Sequence, residues 1–296
     1  MSFKPSETES APRTLDAWLR SRKGPLLLGV VNVTPDSFYE GGRTFETEKA
    51  IHRGLELVEQ GADALDIGGE STRPGAEPAP LEEEIRRVIP VIEGLARRVP
   101  VPISVDTRKS VVARRALNAG AWMINDVSAL GEDPEMARVA AEARAPLILM
   151  HMKGEPRTMQ KAPEYADVTA EVRDYLDARI SAFKDAGGDS ALTLIDPGIG
   201  FGKTLEHNIT LLKNLRSLKE LGRPVVVGAS RKSFLGRILA RAAGLPGEDP
   251  MLPVEDRLEG SLAAALFAAM QGADVLRVHD VRATRRALDV LNALAG

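Results

Sequence analysis

Eight short apolar runs recur along the chain, each followed by a stretch with helical periodicity, and this alternation constrains the fold more than any other feature. The runs are LLLGVV (26–31), ALDI (64–67), PISV (102–105), WMIN (122–125), PLILM (146–150), LTLI (192–195), PVVVG (224–228) and VLRV (275–278). Most carry β-branched residues and all are too short for helices. Helical spacing of apolar residues covers 47–60, 81–98, 110–119, 134–143, 167–186, 206–221, 255–271 and 282–294. Strand and helix in alternation predict a parallel sheet with crossover helices. Eight such units in 296 residues predict an α/β fold of the closed (β/α)₈ (TIM) barrel type, with an open doubly wound sheet as the rival.

A weak internal repeat supports equivalent units. QGADALDIG (60–68), NAGAWMIND (118–126) and QGADVLRVHD (271–280) share a helix end, a Gly-Ala pair and an apolar strand. The glycine suits the left-handed residue that closes a helix. No linker divides the chain, so residues 14–296 are expected to form one domain. Residues 1–13 are polar and without apolar periodicity, and are expected to be a disordered tail. Thr14 to Arg20 predicts a short helix with Leu15, Trp18 and Leu19 on one face, and GLPGEDPMLP (244–253) a long loop beside the seventh unit.

Composition removes several function classes. A net charge of -3 argues against a nucleic-acid surface. An anionic substrate would have to be held by a few local cations. The chain has no cysteine, which excludes disulfides, zinc–thiolate sites and thiol nucleophiles and fits a reducing cytoplasm. MSFKPSETESAPR lacks the apolar segment of a signal peptide, and no apolar run approaches the roughly 20 residues of a membrane helix. Neither nucleic acid nor membrane is expected as a partner.

Polar residues gather where the strands end. Asn32 follows the first strand; Asp66, Glu70, Thr72 and Arg73 end or follow the second; Asp106 follows the third and Asn125 the fourth. Met150 and His151 follow the fifth, Asp196 the sixth and Ser230 to Ser233 the seventh, while Arg277 and His279 end the eighth. In a barrel these positions converge on one mouth. A single Asp at a strand end is ordinary solvation, but eight such positions beside glycines point to a site. DPGIGFGKT (196–204) imitates a phosphate loop, yet Pro197 stands where that loop needs its first glycine and Lys203 where a dinucleotide fingerprint needs its third. The histidines His52, His151, His207 and His279 show no metal-ligand spacing. His52 and His207 read as solvated helix residues, and His151 as either a packed residue or one supporting the site. No Ser-His-Asp arrangement is visible, so Ser233 and Thr72 read as hydrogen-bonding groups.

Together NVTPDSF (32–38), DIGGESTRPGA (66–76), SVDTRK (104–109), IND (124–126), LMHM (149–152), DPGIGFGK (196–203), SRKSFLG (230–236) and RVHDV (277–281) closely resemble the signature segments of the dihydropteroate synthases, in family order and over nearly the whole chain. The resemblance implies a (β/α)₈ barrel of folate biosynthesis. In its reaction p-aminobenzoate displaces pyrophosphate from the methylene carbon of 6-hydroxymethyl-7,8-dihydropterin diphosphate to give 7,8-dihydropteroate. It implies that Asp106, Asn125, Asp196 and Lys232 bind the pterin. Asn32, Thr72, Arg73, Arg277 and His279 bind the diphosphate, with Asn32 helping to place Mg²⁺. Pro74, Phe201, Lys232 and Ser233 bind p-aminobenzoate, where sulfonamides compete. Asp106, Lys232, Arg73 and Asn32 are the expected catalytic set, acting by a dissociative path in which pyrophosphate leaves first. The resemblance also implies a homodimer through late helices.

The chain departs from the family pattern in two places. Tyr39-Glu40 stands where many relatives have Ser-Asp, and Ala129 where many have glycine. Two other readings remain: a pterin-binding methyltransferase-like barrel, which would not explain SRKSF and RVHDV, and a non-catalytic pterin-binding relative, which predicts broken motifs.

Overall fold

A computed structural model describes residues 14–34, 43–71, 77–154, 159–160 and 162–295, with side chains omitted for 43–45. The expected tail 1–13, Tyr39-Glu40, and Thr72, Arg73 and Pro74 of the expected site lie outside the described residues.

The strands are β1 Leu26–Asn32, β2 Ala64–Gly68, β3 Ile103–Asp106, β4 Met123–Asp126, β5 Leu147–Met150, β6 Thr193–Asp196, β7 Val226–Val227 and β8 Val275–Val278. All pair in parallel in the order β6-β5-β4-β3-β2-β1-β8-β7. The ring closes where Ile195 bridges Val225 and the Ile195 N–H donates to Pro224 O at 3.0 Å. The barrel, not the open sheet, is the fold. Helix α1 Leu15–Leu19 precedes the first strand. The crossover helices are α2 Arg43–Glu59, α3 Leu81–Ala96, α4 Ser110–Asn118, α5 Met136–Ala143, α6 Val168–Asp185, α7 Leu205–Lys213 with α8 Leu215–Leu218, α9 Ser233–Ala242 with α10 Leu258–Met270, and α11 Val281–Ala295.

Two features differ from the sequence expectation. The segment 206–221 is not one helix: Asn214 leaves helical geometry (φ −108°, ψ 21°), and the chain restarts as α8. Helix α9 is absent from the expected set, because its first turn coincides with the SRKSF segment, which reads as a site.

Alternation along the strands divides the core into two. One set of side chains packs outward against the helices, for example Leu27, Val31, Leu65, Val105 and Ile195. The other fills the barrel: Leu26, Leu28, Ala64, Met123, Ile148, Leu194, Val226 and Val275 form one apolar layer, joined by Leu15 and Trp18. Those two residues belong to α1, which therefore plugs the barrel's N-terminal end. Trp18 meets Trp122 edge-on, and its indole N–H donates to Asp63 O at 2.9 Å.

Candidate functional site

The apolar layer dictates what lies above it. Side chains two residues apart share a face, so the next inward positions are Asn32 above Val30, Asp66 above Ala64, Asp106 above Ser104, Asn125 above Met123, Asp196 above Leu194 and Arg277 above Val275. Strand register sets Asp106 level with Asn125 and, through Gly68, with Asn32, while Asp66 pairs one step lower with Val30 and Ser104 and Arg277 pairs with Leu28, both reaching up to the same mouth. One step along six of the strands thus turns a mostly apolar layer into a cluster of acids, amides and an arginine.

Arg277 holds the ring together. Its Nε donates to Asp66 Oδ2 at 2.6 Å and an NH₂ group donates to Asp106 Oδ2 at 2.7 Å. The Asn125 amide donates to the same Asp66 oxygen at 3.0 Å. Asp66 Oδ1 is buried and has no hydrogen-bond partner among the described residues. Sequence reasoning places Arg277 beside an anion and gives Asp66 no role. The geometry makes Asp66 the shared acceptor for Arg277 and Asn125. The sequence puts Asp66 in step with Ala64, but only the closed ring shows that this side of the second strand faces inward.

The sixth and seventh units supply the opposite wall. The Asp196 carboxylate accepts the Gly198 N–H at 2.7 Å. Lys232 Nζ donates to Ile199 O and lies 4.4 Å from the centre of the Phe201 ring. The expected p-aminobenzoate residues Phe201 and Lys232 are therefore in contact, and Ser233 follows as the first residue of α9. The glycines of DPGIGFGKT serve close approach rather than phosphate. A Cβ on Gly198 would sit 1.8 Å from His151 O, and one on Gly202 would sit 2.1 Å from Lys153 O, both at positive φ.

Beneath this turn lies a buried lysine to which the sequence pattern assigns no role. Lys203 is 1% exposed, and its Nζ meets His151 Nδ1 at 2.9 Å and Phe201 O at 3.0 Å. Burial drives the Lys203 ammonium well below its usual range, and Lys232 adds to this. His151 thus supports the site turn from below. His207 is not a free surface residue: its ring accepts the Thr204 N–H in a capping box at the start of α7 and stacks edge-on with Tyr165. His52 is largely exposed and lies 3.2 Å from Glu56 one turn on.

At the end of β8, the His279 N–H donates to Ser230 Oγ at 3.3 Å, and its Nδ1 lies 3.1 Å from the same oxygen. Arg53 of α2 donates to His279 O at 3.0 Å. Burial lowers the His279 pKa to about 4, with Arg277 and Arg231 next in effect, so the ring is neutral at pH 7.

The mouth is electrostatically unsettled. Burial raises Asp106 to about 7; Arg277 opposes this, while Asp66, Glu84 and Glu70 add to it. Burial also raises Asp196, against Lys232. It lowers Lys232 to about 7, against Asp196. Such shifts cluster where groups await a ligand. Among the described residues no three His, Cys, Asp or Glu side chains are grouped to hold a metal, and no helix is long and apolar enough to cross a membrane.

Comparison with known proteins supplies the context. A family model described as "Pterin binding enzyme" matches residues 28–279. A dihydropteroate synthase from Synechocystis sp. is 45% identical, over 92% of this chain and 91% of that protein. The crystal structure of a dihydropteroate synthase from Xanthomonas albilineans with 4-aminobenzoic acid superposes with a TM-score of 0.83 at 50% identity, covering 93% of this chain and 94% of that one. The same enzyme with 7,8-dihydropteroate gives a TM-score of 0.80 at 47% identity, covering 93% and 95%. Identity of this depth, spread over the whole barrel rather than over a few motifs, makes the chain a member of the dihydropteroate synthase family of pterin binding enzymes.

Proposed function

We infer that the chain condenses 6-hydroxymethyl-7,8-dihydropterin diphosphate with p-aminobenzoate, giving 7,8-dihydropteroate and pyrophosphate. The observation that carries this reading is the single ring formed by Asp106, Asn125, Asp196, Arg277 and Lys232 above an apolar barrel core. A pterin edge presents ring N–H, amino and carbonyl groups that need paired partners in a dry pocket. Asp106 and Asp196 accept, Lys232 donates and Asn125 does both. A neutral pterin donating to Asp106 and Asp196 would relieve the burial that raises both carboxyl groups.

Asn32, Thr72, Arg73, Arg277 and His279 take the diphosphate in this reading. Arg277 already lies between the second, third and eighth strands, so it can stabilise negative charge leaving the pterin while staying anchored on Asp66. A neutral His279 offers a hydrogen bond rather than a charge. Asn32 provides one neutral oxygen and no carboxylate cage surrounds it among the described residues, a donor set that suits Mg²⁺ held mainly by diphosphate oxygens and water. When bound, that ion supplies further charge neutralisation on the leaving group.

The reaction proceeds dissociatively. The methylene carbon–oxygen bond breaks and its electron pair leaves with pyrophosphate. The cation left on the pterin is stabilised by its ring and by the Asp106 carboxylate, since charge stabilisation is usually the largest catalytic contribution. The amine lone pair of p-aminobenzoate then forms the carbon–nitrogen bond, and the surplus proton leaves to solvent. Pro74, Phe201, Lys232 and Ser233 hold the aryl ring and its carboxylate, and sulfonamides compete there. The absence of cysteine supports a cytoplasmic setting. Exposed Phe267 and Met270 on α10 and Val290 and Leu294 on α11 support a homodimer through that face.

The test is turnover of the purified protein with dihydropterin diphosphate, p-aminobenzoate and Mg²⁺, with Lys232→Ala in parallel. Dihydropteroate formed by the wild type and lost in the variant is the expected result. Pterin binding without product would leave a non-catalytic relative.

A further inference from the structure

Lys232 owes its position to a backbone conformation that its neighbour should avoid. Arg231 has φ +59°, in the left-handed region that an L residue with a side chain adopts only under constraint. It is the third residue of a turn that Lys232 N closes onto Ala229 O at 3.3 Å. Glycine would occupy this position without strain.

Three contacts hold Arg231 there. Its peptide N–H donates to Ser261 Oγ at 2.9 Å. Its carbonyl accepts from an NH₂ group of Arg257 at 2.9 Å. Its own guanidinium grips Asp280 through Nε–Oδ2 at 2.8 Å and NH₂–Oδ1 at 2.5 Å. Ser261 Oγ in turn donates to Arg257 O at 2.6 Å, so the two residues from the start of α10 form one unit. Asp280 follows His279, whose N–H and ring nitrogen meet Ser230 Oγ. The clamp therefore fixes the turn after β7 to the end of β8.

Arg257 is poorly explained by stability alone. It is 5% exposed, yet its hydrogen bonds end on the neutral carbonyls of Leu252 and Arg231, with no carboxylate at ion-pair distance among the described residues. Glu255 acts on it only through space, and a buried guanidinium without a bonded counter-ion is costly. α9 even makes room for it: a Cβ on Gly236 would lie 2.7 Å from Arg257 Nε and 2.8 Å from Leu252 O.

We propose that Arg257 and Ser261 are positioning residues for the condensation: by holding Arg231 left-handed they aim Lys232 at the pterin and p-aminobenzoate while locking Ser230 onto His279. This rests on the reading that Lys232 binds substrate. The long segment between α9 and α10 thereby gains a purpose, since it delivers Arg257 and Ser261 to the rear of the site turn.

The test is a mutant cycle on the full-length protein. Ser261→Ala deletes one oxygen and is the mild variant, with Arg257→Met as the stronger one. Each is made both with Arg231 and together with Arg231→Gly, and kcat/KM is measured for both substrates. Ser261→Ala should lower kcat/KM about tenfold beside Arg231, the ratio that matches the left-handed penalty of an L residue. In the Arg231→Gly background its effect should shrink to less than about twofold, because glycine needs no clamp. Equal losses in both backgrounds would assign Ser261 and Arg257 an ordinary packing role and overturn the proposal. So would Ser261→Ala activity within twofold of an active wild type. A wild type that forms no dihydropteroate would instead refute the reading of the site.

Discussion

The two ends of the barrel treat buried aspartates in opposite ways. At the N-terminal end, Asp63 accepts the Leu27 N–H at 2.8 Å and is gripped by Arg22 and Arg285, while its carbonyl takes the Trp18 indole. Three residues along the chain, at the mouth, Asp66 shares one oxygen between Arg277 and Asn125 and leaves the other without a partner among the described residues. Asp106 beside it is pushed up to about 7, first by burial. Satisfied polar groups make a foundation; groups left short of partners make a site that a ligand completes. Asp63 immediately precedes β2 and Asp66 lies within it, and a barrel sends its strands' N-terminal ends to one pole and their C-terminal ends to the other.

Substitution of one aspartate at each pole gives the sharpest contrast. Asp106→Asn should lower turnover by at least ~100-fold, the scale of losing a group that stabilises developing charge, while the protein stays folded. Near-normal turnover would remove Asp106 from its assigned role. Asp63→Ala should do the reverse. It leaves half-buried Arg285 without its carboxylate partner and the Leu27 N–H without an acceptor, at about 3 kcal/mol in urea unfolding, with kcat per folded molecule unchanged. A fall in kcat at unchanged stability would erase the distinction between the poles.

A pH series carries the contrast further. A carboxyl group raised from 3.8 to about 7 by folding stabilises the fold fully below its unfolded value and loses that contribution as pH rises through about 7. Arg277 acts against the rise, and Asp66, Glu84 and Glu70 act with it. The free enzyme should therefore lose stability between about pH 4 and about pH 8 at this residue, and Asp106→Asn should not. The stability of the variant relative to wild type should grow over that window by on the order of 1 kcal/mol or more. A difference that is flat with pH would mean that Arg277 keeps Asp106 ionised throughout.

Much of this was legible in the chain. Runs such as LTLI and VLRV predict strands because β-branched residues bounded by turn residues have few other uses, and eight of them favour a closed barrel, although the bridge from Ile195 to Val225 is what excludes the open sheet. What the runs do not reveal is parity. Asp196 and Arg277 are inward because Leu194 and Val275 are, and only the closed ring shows that those two share a layer with Met123 and Ile148. Helix α9 is hidden for a related reason: Phe234 and Leu235 are buried in it, but the preceding Ser-Arg-Lys reads as chemistry. Arg231 sits inside the quoted SRKSFLG segment without a role of its own, and Arg257 and Ser261 left no local trace. Their meaning depends on a dihedral angle and on a contact 26 to 30 residues away in sequence.

The smallest predicted effect concerns a departure from the family pattern. Ala129 stands where many relatives have glycine, and it has φ +48°, followed by Leu130 at φ +65°. Two consecutive left-handed residues are held by one carboxylate. Asp126 accepts the Ser128 N–H at 2.8 Å, the Ser128 hydroxyl at 2.7 Å and the Leu130 N–H at 2.7 Å. The chain thus bends after β4, at the foot of Asn125, with a side chain where none is needed. Glycine at 129 would remove the left-handed penalty of about 1–2 kcal/mol but add roughly 0.4–1 kcal/mol of unfolded-chain entropy. The net expectation for Ala129→Gly is a gain of about 0.5 kcal/mol in urea unfolding. KM for the pterin should stay unchanged, because Asn125 is fixed by Asp66 rather than by the turn. A rise in that KM would instead tie the bend to the site, and would extend the unsettled region of the mouth one turn further down the fourth unit.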